Sequence, residues 1–250
     1  TDPDTGRMGY TLASVLVFGK EATIFRLAPQ YKTDALCRIN NTELYDDRDI
    51  VGCNLVNAYH RIMVFLQKYL PEMPYIEGTQ RISLRDVIFR EVVQNLLVHR
   101  EFSNAFPATI VIYKDRVETH NWNLPHMMGR ISLENLSPQP KNRVIANVFQ
   151  QMGWMEELGS GTRKMFKYCP IMVPGSHTTI IEEDIFTTVI PIALPTINVV
   201  DSLSDKLSDK LSDKQKQVLA LIAENGHYKA AQMAPKLSVS RNTINAATAK

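Results

Sequence analysis

An α+β fold, with helices packed on one face of a mixed or antiparallel sheet, is predicted by three patterns in this chain of 250 residues. Residues 54–70 and 83–100 carry apolar side chains at helical spacing. Residues 106–113 and 116–120 are two β-rich runs joined tightly at Lys114-Asp115. Residues 178–184 and 186–191 are a second β-rich pair, separated by acidic residues, which closes the sheet as a terminal hairpin.

Taken in order, Thr33-Asp-Ala-Leu-Cys-Arg-Ile39 alternates as a strand does. The helix over 54–70 shows its periodicity through Val56, Tyr59, Ile62, Met63, Leu66 and Leu70, and Pro71 and Pro74 close it. Arg81-Ile-Ser leads into the next helix, where Ser83 and Asp86 fit the pattern of a capping box. Phe89, Val92, Val93 and Leu96 cover the flank of that helix that can pack on a sheet. The stretch 121–139, with Pro125 and Pro138, is too irregular for a core element and reads as a lid. A helix over 142–152 ends at Gly153, where a left-handed cap is easy, and Gly159-Ser-Gly161 opens another over 162–168.

Beyond the sheet, residues 203–214 repeat Leu-Ser-Asp-Lys three times. Leu203, Leu207 and Leu211 would form only a thin stripe on a helix, and Ser and Asp favour a solvated linker, so 196–214 divides two folding units. Residues 215–250 then read as a small helix-turn-helix unit of winged-helix type, its wing cut short at Lys250. In it Val239 packs in the turn, Ser240 caps, and Arg241, Asn242, Thr243 and Asn245 begin a recognition helix where base edges are reached. The competing reading is a helical bundle that only mediates dimerisation.

Composition names no function: 44% hydrophobic and 22% charged residues are ordinary for a globular protein. The net charge of +2 is uneven, since 201–250 hold eight Lys and Arg against five Asp and Glu while 1–200 carry a net −1. A basic tail favours a nucleic-acid partner there. Cys37, Cys53 and Cys169 are far apart with no Cys-x-x-Cys spacing, which suggests neither a disulfide framework nor a zinc site and fits a reducing cytoplasm. No apolar run approaches the roughly 20 residues of a membrane-spanning helix.

The chemistry concentrates on the helix over 83–100. Glu91, Asn95 and His99 recur at i, i+4 and i+8 and share an edge roughly 80° wide. A carboxylate and an amide one turn apart can hold a water and a metal ion beside a phosphate. The alternative is a helix end emerging into solvent, with polar side chains that satisfy one another. Arg100 and His99 can equally be hinge residues of the lid or charge partners of Glu101. Gly159 and Gly161 precede a helix whose unpaired N–H groups suit a phosphate, although such a pair is also a plain tight turn. No Gly-x-Ser-x-Gly, Cys/His or His-Glu-x-x-His pattern supports a hydrolase or metalloprotease.

Glu91-Val-Val-Gln-Asn95 resembles the N-box of the GHKL nucleotide-binding superfamily, the fold of gyrase, histidine kinases and MutL. The resemblance implies that Glu91 polarises a water and Asn95 holds magnesium. Residues 91–100, 113–125, 140–146 and 157–162 resemble, in order, blocks of the RecG-related C-terminal family, described as transcriptional regulators or ATP-dependent DNA helicases. Such proteins usually combine an N-terminal Schlafen AlbA-type domain, the GHKL-like domain and a C-terminal winged helix. The implied layout here is a remnant at 1–20 following a missing AlbA-type domain, as the start at Thr1 suggests, then a GHKL-like (Bergerat-type) sandwich over 21–195, the linker and the winged helix.

On this resemblance Glu91 is the catalytic residue, Asn95 the magnesium ligand, and Asn95, His99, Asn121, Gly159, Ser160, Gly161 and Thr162 contact ATP. The sequence departs from the pattern at Asn121-Trp122-Asn123, where GHKL ATPases have Asp-x-Gly-x-Gly and the RecG-related family has Asn-Pro-Gly. Asn121 still hydrogen-bonds a base edge, whereas Trp122 adds bulk where glycine allowed close approach. The implied protein is a bacterial, cytoplasmic, dimeric transcriptional regulator that binds double-stranded DNA, with a sensor domain for ATP and Mg2+ and at most weak ATPase activity. Two alternatives stay open: an ATP-dependent enzyme acting on DNA, which lacks the Gly-x-x-x-x-Gly-Lys loop of helicase motors, and a degenerate GHKL scaffold without nucleotide.

Overall fold

The structure is a computed structural model that describes residues 6, 8–136, 140–155, 160–194, 217, 218 and 237. The chain divides into two units, Thr1–Leu194 and Pro195–Lys250. The linker reading over 196–214 and the helix-turn-helix reading, with Ser240, Arg241, Asn242, Thr243 and Asn245, lie outside the described residues. So does Gly159.

The first unit opens with two short helices, α1 (Leu12–Phe18) and α2 (Glu21–Leu27), followed by strands β1 (Thr33–Arg38) and β2 (Asp47–Val51). Helix α3 (Leu55–Tyr69) comes next, then a small hairpin of β3 (Pro74–Glu77) and β4 (Gln80–Ser83), and helix α4 (Leu84–Val98). Strands β5 (Ala108–Tyr113), β6 (Arg116–Trp122) and β7 (Gly129–Ile131) precede helices α5 (Arg143–Gln151) and α6 (Ser160–Met172). Strands β8 (Thr179–Glu182) and β9 (Ile185–Pro191) end the unit.

Seven of the strands form one mixed sheet in the order β2-β1-β5-β6-β9-β8-β7, in which only β1 and β5 run parallel. Register lines up the buried side chains. Ala35, Ile110, Thr119, Thr188 and Ile180 make one row across five strands, and Cys37, Ile112, Val117 and Ile190 make the next. These rows face the helices, because alternation on a strand sends every second side chain to the same side. Each fully buried isoleucine in them contributes on the order of 2 kcal/mol.

Local signals set the helix limits. Asn54 caps α3 by accepting from the Asn57 amide at 2.9 Å, and Ser83 caps α4 by accepting from the Asp86 amide at 3.3 Å, as the capping pattern predicts. Gly153 just past α5 has φ 70°, the left-handed conformation that ends a helix without strain on a side chain. Helix α4 is buried on nearly every side, with Ile88, Phe89, Val92, Val93, Leu96 and Leu97 in the core between its neighbours α3 and α6. Only Arg90 of this helix is fully exposed, so little of it is free to carry idle polar groups. Its Glu91 and Gln94 are therefore buried polar residues that need explanation.

The lid reading is corrected in part. Asn121 and Trp122 belong to β6, and Gly129–Ile131 is an edge strand paired antiparallel with β8, so the stretch contributes backbone to the main sheet. Three residues are too few for a period to show in sequence.

Candidate functional site

Helix α4 carries the predicted stripe along one edge. Glu91 sits at its middle and is only 8% exposed, Asn95 is half-buried one turn on, and His99 is the C-cap. A buried carboxylate requires positive charge nearby. The first turn of α6 supplies it. Lys164 Nζ lies 3.5 Å from Glu91 Oε1, and the macrodipole of α6 has its positive end at this turn. Gly161 is pressed so closely on Glu91 that a Cβ there would overlap Oε2. Ser160, Gly161 and Thr162 are half-buried in that turn, so Glu91 and the described part of the predicted phosphate-contacting turn are brought together.

The C-terminal end of α4 exposes carbonyls that the helix itself cannot satisfy. Side-chain amides from two distant segments take them. Asn121, 3% exposed on β6, donates from Nδ2 to the Leu96 carbonyl at 2.9 Å. Asn142 donates both Nδ2 hydrogens, to Val98 at 2.8 Å and to Arg100 at 2.7 Å. Asn142 is also the N-cap of α5, to which it makes no side-chain cap bond.

Asn121 thereby stands beside the last turns of α4 with one Nδ2 hydrogen committed. Its Oδ1 is buried without a hydrogen-bond partner, and the same is true of Asn123, whose Nδ2 donates to the Glu183 carbonyl at 2.9 Å. Two buried acceptors on alternate residues 121 and 123 are an uncommon cost in a folded chain. Trp122 lies between them, and alternation along β6 sends its indole to the face opposite Asn121.

His99 borders the same end of α4. Burial first, then the charges of Lys141 and His126, hold its pKa down at about 4 against the opposing pull of Glu182. The ring is therefore neutral near pH 7 and can accept as well as donate a hydrogen bond. Glu182 also accepts from the His126 amide at 3.0 Å, and Lys141 donates to the Leu124 carbonyl at 3.0 Å. These contacts tie the stretch after β6 to β8 and to the approach of α5.

Arg100 does not pair with Glu101. It is 3% exposed, donates to the Lys32 carbonyl at 2.6 Å and to Thr33 Oγ1 at 3.3 Å, and lies over the rings of Tyr31 and Phe102. Burial lowers its pKa to about 10 and raises that of Tyr31. Its place is structural, joining the end of α4 to the start of β1, while Glu101 accepts from Ser103.

Sequence reasoning missed Lys164, Asn123, Asn142, Lys141 and Glu182. Lys164 had a signal, since it lies three residues beyond Gly161 and so on the same face of α6. The others depend on contacts between segments far apart in the chain. Among the described residues no group of three or more His, Cys, Asp or Glu side chains is placed to hold a metal ion. A magnesium ion here would rest on Asn95 and on ligand phosphates, the usual economy of that ion, which keeps much of its water.

The crystal structure of the DIP2311 protein from Corynebacterium diphtheriae has the same fold, with a TM-score of 0.57 and 14% identity over 94% of this chain. The chain spans 48% of that protein. Among curated proteins none matches. Residues 107–190 take in β5 to β8 and nearly all of β9, and so Asn121, Ser160, Gly161 and Thr162, while Glu91, Asn95 and His99 precede them. Those residues match the model of the ATPase-like family described as "Putative ATP-dependent DNA helicase recG C-terminal".

Proposed function

We propose that the unit Thr1–Leu194 is a GHKL-like domain that binds ATP with Mg2+, and that it serves a dimeric, DNA-binding transcriptional regulator of the cytoplasm. The observation that carries the nucleotide reading is the pairing of Asn121 with Leu96: it leaves a buried acceptor with no donor beside the last turns of α4. The exocyclic amine of adenine is a donor that would satisfy it. Nearer the middle of α4, Gly161 lets the first turn of α6 pack directly on the Glu91 carboxylate, and α6 presents its positive end there.

In this reading Asn121 receives the base, Asn95 holds magnesium, and His99, Ser160, Gly161 and Thr162, with Gly159, line the nucleotide. The bound nucleotide supplies negative charge and a cleavable phosphoanhydride. Glu91 is the group able to accept a proton from water there. The regulatory role, the DNA partner and the dimer rest on the description of the matched family and on the basic tail with its helix-turn-helix pattern. Glu91, a buried carboxylate at a phosphate-binding turn, also favours the second reading, an ATP-driven enzyme acting on DNA.

The test is a calorimetric titration with ATP in magnesium and in EDTA, on the wild type and Asn95→Ala. Binding that requires the metal and is abolished by the substitution, with the thermal transition retained, is the expected result. Equal binding in EDTA would remove Asn95 and magnesium from the site.

A further inference from the structure

Resting on the nucleotide reading above, we infer that Glu91 is the resident anion of the first turn of α6, and that Lys164 is a positioning residue which exchanges this carboxylate for an incoming phosphate. Three observations on different atoms converge. The Glu91 carboxylate is buried, with a side chain 10% exposed, and Lys164 Nζ stands 3.5 Å from its Oε1. Gly161, one turn before Lys164, packs so close to this carboxylate that an added Cβ would overlap Oε2. Asn121 on β6, bonded to the carbonyl of Leu96 further along α4, keeps a buried acceptor without a donor, which offers a place for a ligand's donor beside the C-terminal half of that helix.

The physical consequence is competition. A carboxylate already occupies the place where the helix dipole and a lysine favour negative charge. A phosphate arriving beside it meets like charge in a poorly screened setting, which opposes binding unless a cation moves between them. Lysine is suited to such a move, being a compact charge on a flexible four-carbon stem with three donors, and it can turn from one oxyanion to another without moving the backbone. Lys164 sits one turn beyond Gly161 on the same face, so it stays within reach of any phosphate that the turn receives. The selectivity that follows is for ligands with a polyphosphate chain, since the base alone gains nothing from Lys164.

Glu91 and Lys164 therefore act on affinity with opposite sign. Removing the resident charge with Glu91→Gln should tighten polyphosphate binding about tenfold, and Lys164→Met should weaken it about tenfold, each the size of one charge-assisted hydrogen bond. A purely structural ion pair would give losses of the same sign in both variants.

The experiment is calorimetry in magnesium on the full chain, with the β,γ-methylene analogue of ATP, tripolyphosphate and adenosine as separate probes. Wild type, Glu91→Gln, Lys164→Met and Lys164→Arg are compared, and the last variant keeps the charge should the methionine destabilise the turn. Opposite shifts for the analogue and tripolyphosphate, with adenosine unmoved and arginine restoring affinity, support the exchange. Unchanged affinities, or losses in both charge-removing variants, overturn it and leave nucleotide binding intact. Opposite shifts with tripolyphosphate in a protein that binds neither the analogue nor adenosine sustain the exchange and retire the nucleotide reading. A wild type that binds none of the probes overturns both.

Discussion

Gly161 and Glu91 are packed so closely that a Cβ on the first turn of α6 would overlap Oε2 and Cδ of the carboxylate on α4, which would have to move. Gly161→Ala should lower stability by about 1–3 kcal/mol, as overpacking of a tight site does. Urea denaturation measures it. The same substitution in a Glu91→Ala background should cost much less, and an equal cost there would place the strain elsewhere.

The second expectation concerns acid. His99 has a pKa near 4 in the folded chain against an ordinary value of 6.5, so the unfolded chain takes up its proton first. The stabilisation from keeping the ring neutral is complete above about pH 6.5 and is lost as the pH falls towards 4. Over that window stability should fall by about 1–3 kcal/mol more in the wild type than in His99→Gln. Thermal melts at intervals of pH follow it, with Lys141, His126 and Glu182, which face the ring, left unchanged. Parallel melting curves for the two proteins would show that another group governs the acid limb.

Asn142 offers a third test, at the far end of α4. Asn142→Ala removes two donors at once and leaves the Val98 and Arg100 carbonyls without them, which should cost about 1–3 kcal/mol. Amide hydrogen exchange should quicken in the last turn of α4 before it does in β5. Asn142→Asp should be no better, because a carboxylate has no hydrogen to give. Full stability in the aspartate variant would deny these bonds their role.

The fourth expectation belongs to the proposed recognition helix. Arg241 suits guanine in the major groove, so Arg241→Ala should cost about 1–3 kcal/mol of binding and relax preference at one base pair of an inverted repeat. Affinity should fall steeply with salt. Selection on random DNA with the full-length protein decides it: no enriched sequence, or the same one at unchanged affinity in the variant, rules out base reading by this helix.

Periodicity makes α3 and α4 legible, and alternation with a tight joint makes β5 and β6 so, because each signal is local to the segment that carries it. The small elements are not legible. Helices α1 and α2 have seven residues each, and β2, β3, β4 and β7 have five or fewer, too short for a period to emerge. Glu91 and Gly161 stand out from residue types and spacing, and the structure packs them together. Trp122 shows the opposite case. Its bulk is visible in sequence, but the direction of that bulk depends on strand phase, which only the pairing of β6 with β5 and β9 determines.

The single parallel pair in the sheet bears on how this unit is made. Strand β1 is complete at Arg38, yet its partner β5 begins at Ala108, and β2, α3, the β3-β4 hairpin and α4 are all synthesised in between. A nascent chain at that stage holds two apolar helices with only an edge hairpin of the sheet to cover them. The β5-β6 hairpin, whose strands are joined by two residues, can form as soon as it emerges and is then the template on which β1 docks. Such an order exposes Ile62, Leu66, Ile88 and Leu97 for as long as translation takes to reach β6, an interval in which a slow ribosome or a missing chaperone would favour aggregation over folding.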